Sequence, residues 1–307
     1  MKKHRISYFD VVGRATDGLG DRKVAQAIER LSATYREGRT DFDYSTAEGR
    51  AAYLWHILPA HVCDLARLIA DRGLHQGRET LRVVGLGSGP GTEVLALLEA
   101  ISTSRGRGEL DELRSLEAVR IERASEWDHA FGALLGPLLE QVTQRDPGLG
   151  SEWTFEAGPK GIAWDLTQPP IPTAAAEALA KADLVVAANL LSEVRPRGTD
   201  ELPSGLRDCL AAVFDALPEG ADVLLVDRAG APGAAARCAA AAELARERWP
   251  ALEVTGPRER ASRCGCSFTR KGKAIYRHVK LPTTRQEDRP VKNCKTLWYH
   301  LRLGSQA

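Results

Sequence analysis

Short, nearly unbroken apolar runs alternate along this chain with longer stretches whose apolar residues recur every three or four positions. Leu81 to Leu86, Leu116 to Glu122, Ala182 to Ala188 and Asp222 to Asp227 read as strands, and the almost unbroken run Ala182–Ala188 has the pattern of one covered on both faces in a parallel sheet. The second kind predicts a helix opening near Thr92, others from Glu126 to about Gln144 and from about Leu206 to Leu217, and an alanine-rich one from Ala234 to Arg248. Strands alternating with helices predict a doubly wound parallel α/β sheet over residues 79–307, behind an N-terminal helical region over 1–78.

Within the N-terminal region, residues 1–40 carry only a modest helical pattern around Val24, Ile28 and Leu31, which predicts an accessory helix on a frayed end. Ser45-Thr46-Ala47-Glu48 then reads as a capping box opening a helix through Leu54, Leu58, Val62, Leu65 and Ile69. Pro59 should kink or divide that helix and Gly73 should stop it. His56, His61 and Cys63 on it read as packed or solvated side chains. Residues 145–160 read as a turn-rich connection, and Pro137 as a kink in the helix before it. Lys273–Val279 and Thr296–Leu301 are expected to form an antiparallel hairpin that closes the sheet.

The chemistry gathers where the first apolar run breaks into Gly85-Leu86-Gly87-Ser88-Gly89-Pro90-Gly91. Glycines there permit positive φ and close approach of a ligand to the main chain, and free N–H groups at the following helix favour electron-rich oxygens. The strict alternation departs from the G-x-G-x-x-G of dinucleotide sites, and no Gly-Lys-Ser/Thr follows as in a P-loop. Glu122, at the end of the second strand, has two acceptor oxygens suited to a pair of ribose hydroxyls. Asn189, Ser192 and Glu193 follow the Ala182–Ala188 strand, and in this fold class the carboxyl ends of strands face the ligand.

On Gly87-Ser88-Gly89-Pro90-Gly91 the chain resembles class I S-adenosylmethionine (SAM)-dependent methyltransferases. That resemblance implies a Rossmann-like sheet with SAM held by Gly87, Ser88, Gly89, Gly91 and Glu122, with Asn189 beside it. It also implies that Gly161-Ile162-Ala163-Trp164-Asp165 lines the adenine pocket, with Trp164 stacking and Asp165 accepting from the exocyclic amine. Asn189 and Glu193 are then the candidate catalytic residues. Gly85 stands where most members of the family carry an acid. Asn189-Leu190-Leu191-Ser192-Glu193 is not the Asp/Asn-Pro-Pro-Tyr/Phe signature of methyltransferases acting on adenine or glutamine amino groups. Tyr35-Arg36-Glu37 through Pro59-Ala60, the glycine loop, Asn189–Glu193 and Leu225–Gly233 also look like the methyltransferase-like family associated with small-ribosomal-subunit assembly. That family holds an iron–sulfur cluster through cysteines. Cys264, Cys266 and Cys294 supply three nearby thiols here and its Cys-Pro-His pattern is absent, so no metal is assigned.

Composition refines this picture without redirecting it. The 307 residues are 43% hydrophobic, enough for a substantial core, and the net charge is only +1. Charge is nevertheless uneven: from Arg258 to Arg302 thirteen Lys and Arg face three acids, a net of +10. With Tyr276, Trp298 and Tyr299 interleaved, that segment predicts contact with RNA or a ribosomal particle, although solvated strand edges use the same residues. The six cysteines are too scattered for a disulfide framework, no signal peptide opens the chain and no run of 18 apolar residues occurs, so a cytoplasmic protein without membrane contact is expected. The expected function is methyl transfer from SAM to an undetermined acceptor, with RNA or a ribosome-linked acceptor among the candidates. The alternatives are a non-catalytic SAM-binding assembly factor and a tailoring enzyme for a small molecule or peptide.

Overall fold

Alternate residues of the central strands feed two separate cores, which is why their sequences lack polar alternation. The computed structural model describes residues 6–37, 41–105, 112–145, 153–194, 200–263 and 293–304. Strands β1 (Thr80–Leu86), β2 (Ser115–Ile121), β3 (Thr154–Ala157), β4 (Leu184–Ala188) and β5 (Asp222–Arg228) pair in parallel. β7 (Asn293–Leu303) runs antiparallel to β5, and β6 (Leu252–Arg263) antiparallel to β7, giving the order β3-β2-β1-β4-β5-β7-β6. This is the doubly wound, Rossmann-like sheet expected, with an antiparallel C-terminal pair.

One face carries α1 (Tyr8–Ala15), α2 (Asp21–Arg36), α3 (Ala47–His56), α4 (Leu58–Arg72), α5 (Thr92–Arg105) and α6 (Glu126–Arg145), packed on Val83, Val186 and Leu224. The other carries α7 (Thr173–Leu179), α8 (Leu190–Glu193), α9 (Ser204–Ala216) and α10 (Ala234–Arg248), packed on Val84, Val185 and Leu225. The N-terminal helices therefore share one core with β1, β4 and β5.

Several local expectations change. Residues 8–36 form two helices rather than one on a frayed end: Tyr8, Val11 and Val12 are fully buried, and the Tyr8 hydroxyl donates to Glu99 on α5 at 2.6 Å. The N-cap of α3 is Thr46, which accepts from the Gly49 amide at 3.1 Å, whereas Glu48 turns to Lys23 at 3.6 Å, so no capping box forms at Ser45. Pro59 does divide α3 from α4, sitting in the first turn of α4 where a missing N–H leaves no bond unmade. Gly73 closes α4 at φ +64°. Pro137 lies inside α6, which continues through it.

Two strands escaped the sequence pattern because both are edges of the sheet. β3 has four residues with alternating exposure. β6 contains Gly256-Pro257 and a run of charges, features tolerated where only one side of a strand is paired. Its register shifts between Thr255 and Arg258. β6 takes the place beside β7 expected for 273–279, which lies outside the described residues, as do Cys264 and Cys266. Among the described residues, no group of three or more His, Cys, Asp or Glu side chains is arranged to hold a metal, and no helix is long and apolar enough to cross a membrane.

Candidate functional site

The carboxyl ends of β1 and β4 are neighbours, with Leu86 opposite Ala187, and the chain leaves them toward opposite faces of the sheet. The crevice at this reversal of strand order is where an open α/β sheet takes a ligand. Gly87, Gly89 and Gly91 have φ of +61°, +49° and +76°, so the loop after β1 adopts a backbone that side chains disfavour. It is closed by the Gly91 amide donating to the Ser88 carbonyl at 2.8 Å. Glu122, just past β2, braces it: Oε2 accepts from the Gly89 amide at 2.9 Å and Oε1 from the Ala124 amide at 3.1 Å.

Around this loop lies a cavity of about 620 Å³. Of the residues singled out from the sequence, Gly87, Ser88, Gly89, Glu122, Trp164, Asp165, Asn189 and Glu193 all border it. Gly91 does not: it lies beneath the loop, where an added Cβ would run into the Phe131 ring and approach Arg120 Cδ to 3.2 Å. Trp164 is 5% exposed and donates through Nε1 to the Gln168 carbonyl at 3.0 Å, which fixes its ring. Asp165 Oδ1 accepts from the amide and hydroxyl of Thr167 at 2.9 and 2.7 Å. Burial works to raise this carboxyl, but the Thr167 bonds outweigh it and hold it below its ordinary range.

The opposite wall comes from β4, α8 and the N-terminal helices. Asn189 is the one non-glycine residue with positive φ among those described, at +61°, which turns the chain sharply from strand to helix. Its amide donates to the Val226 carbonyl at 2.7 Å, and its Nδ2 lies 3.1 Å from His61 Nδ1. Burial and then the Arg228 charge lower the His61 pKa to about 3, so the ring is neutral and Nδ1 accepts from Asn189. Asn189 Oδ1 is buried without a hydrogen-bond partner.

Glu193 Oε1 accepts from the Tyr35 hydroxyl at 3.3 Å, and that hydroxyl lies 2.9 Å from the one on Tyr44. The Arg228 guanidinium stacks over the Tyr35 ring at 4.7 Å. The Glu193 side chain is exposed toward the cavity, while Tyr35 and the charges of Arg228 and Asp227 lie on its inner side. Desolvation pushes it up to about 7, with Arg228 opposing and Asp227 reinforcing the shift. Burial likewise raises Tyr35, Tyr44 and Tyr53, so all three phenols stay protonated. Ser192, expected beside Glu193, faces away: its amide donates to Asp227 Oδ2 at 2.7 Å, its hydroxyl to the Asn189 carbonyl at 3.3 Å, and it is 2% exposed.

The sequence named His61 only as a packed or solvated side chain, and Tyr35, Tyr53 and Arg228 only as parts of segments that carry the resemblance. They come from α2, α4, α3 and the end of β5, and only the fold brings them to one wall. Tyr53 meets Tyr44 and Trp127 edge to face at 5.8 and 5.7 Å between centroids, and Tyr44 lies tilted against Trp127 at 5.4 Å. The cavity is acidic, with Asp43, Glu93, Glu122, Glu126, Asp165 and Glu193 against Arg123 alone among its lining Lys and Arg. Such a field suits a neutral or cationic ligand.

No protein-family model matches the chain, and no curated protein matches it in sequence. Solved structures that match include the YcgJ protein from Bacillus subtilis, 14% identical with a TM-score of 0.38 over 79% of this chain and 99% of that one. A SAM-dependent methyltransferase from Aquifex aeolicus matches at 14% identity and a TM-score of 0.39, over 80% of this chain and 94% of that one. Atu636 from Agrobacterium tumefaciens, a predicted O-methyltransferase, matches at 18% identity and a TM-score of 0.39, over 80% of this chain and 82% of that one. The residues of the cavity itself therefore carry the functional reading.

Proposed function

We propose that this chain is a SAM-dependent methyltransferase acting on a neutral or cationic acceptor. The observation that carries the reading is the meeting, in one acidic cavity, of a positive-φ glycine loop braced by Glu122 and a wall holding Glu193 and Asn189. The fit of the loop is specific: a Cβ at Gly89 would touch nothing closer than the Trp127 ring at 3.9 Å, so this stretch of backbone is open on the cavity side. Gly87, Ser88 and Gly89 would lie against the cofactor, Glu122 would accept from its ribose hydroxyls, and Trp164 and Asp165 would meet its adenine. Bound SAM supplies an electrophilic methyl group on a sulfonium.

The protein's part is orientation and proton handling. Glu193, with a pKa of about 7, is poised to take a proton from an acceptor N–H or O–H near neutral pH. Asn189 Oδ1, buried without a partner, can accept from the same group and align it, while His61 holds the amide. Tyr44 and Tyr53 line this side of the cavity. An anionic acceptor would meet repulsion at this mouth, which favours an amine or hydroxyl of a small molecule or peptide over a nucleic acid. Of the basic segment, Arg258, Arg260, Lys295 and Arg302 have described side chains, and Arg260 is already paired with Asp71 at 2.6 Å; most of that segment lies outside the described residues.

Incubation with methyl-labelled SAM and fractionated cell extract tests the reading. Label in small molecules or peptides is expected, and label in RNA alone would overturn the assigned acceptor class. Glu122→Ala should weaken SAM binding by about 1–3 kcal/mol in calorimetry, because ribose hydroxyls lose their acceptor. Unchanged affinity would remove Glu122 from the cofactor site.

A further inference from the structure

Gly85 lies within β1, and its φ is outside the left-handed region, so backbone conformation does not require glycine there. Space does. A Cβ at this position would fall on Glu93 Oε1 and Ser88 Oγ, both of which occupy the volume a side chain would fill. Glu93 comes from the first turn of α5, is 2% exposed and borders the cavity, and its Oε1 has no hydrogen-bond partner. A buried carboxylate oxygen without a partner is costly unless a ligand brings a cation or a strong donor to it. Glu122 has bonds to the loop and a role toward the ribose. SAM carries two cations: the sulfonium goes with the reacting methyl toward the wall of Asn189 and Glu193, which leaves the α-ammonium as the one that still lacks an acid.

We propose that Glu93 binds this α-ammonium group, supplying from the helix the carboxylate that most members of the family the chain resembles carry at position 85. The assignment rests on the methyltransferase reading above. Gly85 and Glu93 are then coupled: a side chain at position 85 would occupy the volume that the Glu93 carboxylate fills. The charged and titratable groups that face Glu93 are Arg120 from β2, Glu122 beyond it and Tyr53 on α3. Burial dominates and pushes the Glu93 carboxyl up to about 7, with its own backbone amide, Ser88 and Arg120 offsetting only part of it and Glu122 adding to it. An arriving ammonium favours the ionised form, so binding near pH 7 should release a proton from this residue.

Calorimetry with two probes tests the assignment. S-adenosylhomocysteine carries the amino-acid end, and 5′-methylthioadenosine carries only the adenosine and thioether. Glu93→Gln keeps the volume and removes the charge. It should weaken S-adenosylhomocysteine roughly tenfold or more, as expected for a lost charged hydrogen bond, while leaving methylthioadenosine unchanged. Unchanged methylthioadenosine binding also reports that the variant is folded. Proton release, read from the dependence of the heat on buffer ionisation enthalpy near pH 7, should be present in the unaltered protein and lost in Glu93→Gln. A double variant, Gly85→Asp with Glu93→Ala, returns the acid to the strand and should recover affinity relative to Glu93→Ala alone. If Glu93→Gln binds S-adenosylhomocysteine as tightly as the unaltered protein, with the same proton release, the assignment is wrong while the methyltransferase reading stands. If the unaltered protein binds neither probe, both fall together.

Discussion

Gly89→Val is expected to abolish SAM binding, by more than about a hundredfold, in a protein that still folds. The side chain would project from open loop backbone into the cavity, since nothing but the Trp127 ring lies within 4 Å of an added Cβ. Placing a β-branched residue at φ +49° costs about 1–2 kcal/mol, a tolerable part of the roughly 5–15 kcal/mol that holds a domain folded. Gly91→Val supplies the contrast. At φ +76° it faces the same backbone strain, but its side chain would enter the Phe131 ring, which is fully buried and stacked 4.0 Å from the Arg120 guanidinium. Arg120 is itself fixed by Asp128 at 2.6 Å and cannot yield without exposing a buried charge. Gly91→Val should therefore lower the thermal transition sharply, whereas Gly89→Val should shift it only slightly. Retained SAM affinity in folded Gly89→Val would move the cofactor site away from this loop.

The contrast also separates what the sequence reveals from what it hides. Four alternating glycines between an apolar run and a helix announce a loop that needs positive φ, and they do so wherever the cavity lies. Which glycine faces ligand and which faces core depends on Phe131, some forty residues onward, and on the direction in which α6 returns. The central strands were legible because burial on both faces leaves an unbroken apolar run. Edge strands β3 and β6 were not, since one unpaired side tolerates charges, glycine and proline. The same reasoning applies to the wall that holds Asn189 and Glu193. Asn189 and Glu193 were legible from their place after an apolar strand, but their chemistry depends on His61, Tyr35, Tyr44 and Arg228. Those residues converge only through packing, and Ser192, equally close in sequence, rotates away because Asp227 takes its amide. Gly85 signalled a missing acid, while Glu93 eight residues later looked like an ordinary acid in a first helical turn, where the dipole favours one anyway.

Glu193→Gln is expected to lower turnover by about 10²–10⁴-fold while leaving SAM affinity nearly intact, because proton removal matters in the transition state and not in binding the cofactor. The pH profile should show the same group. With a folded pKa of about 7, Glu193 is mostly protonated at pH 6 and mostly ionised at pH 8, so kcat/KM should rise through neutrality and level off. The variant should lose that rise. Stability should move in the opposite direction: the carboxyl's pKa is about 4.3 in an unfolded chain, so between roughly pH 4.3 and 7 the folded protein holds a proton that the unfolded chain has released. Raising the pH across this window therefore draws stability from the native state. Above pH 7 the native carboxylate is ionised among Asp227, Tyr35 and Tyr44, with Arg228 its compensating charge. Glu193→Gln, which has no carboxyl to ionise, should match the unaltered protein in thermal unfolding at pH 4 and exceed it at pH 8. Such a variant, more stable yet slow, would identify a group held in an unfavourable environment for the sake of proton transfer. Equal turnover in the two proteins, at every pH, would leave Glu193 a wall residue and give the proton to another acceptor.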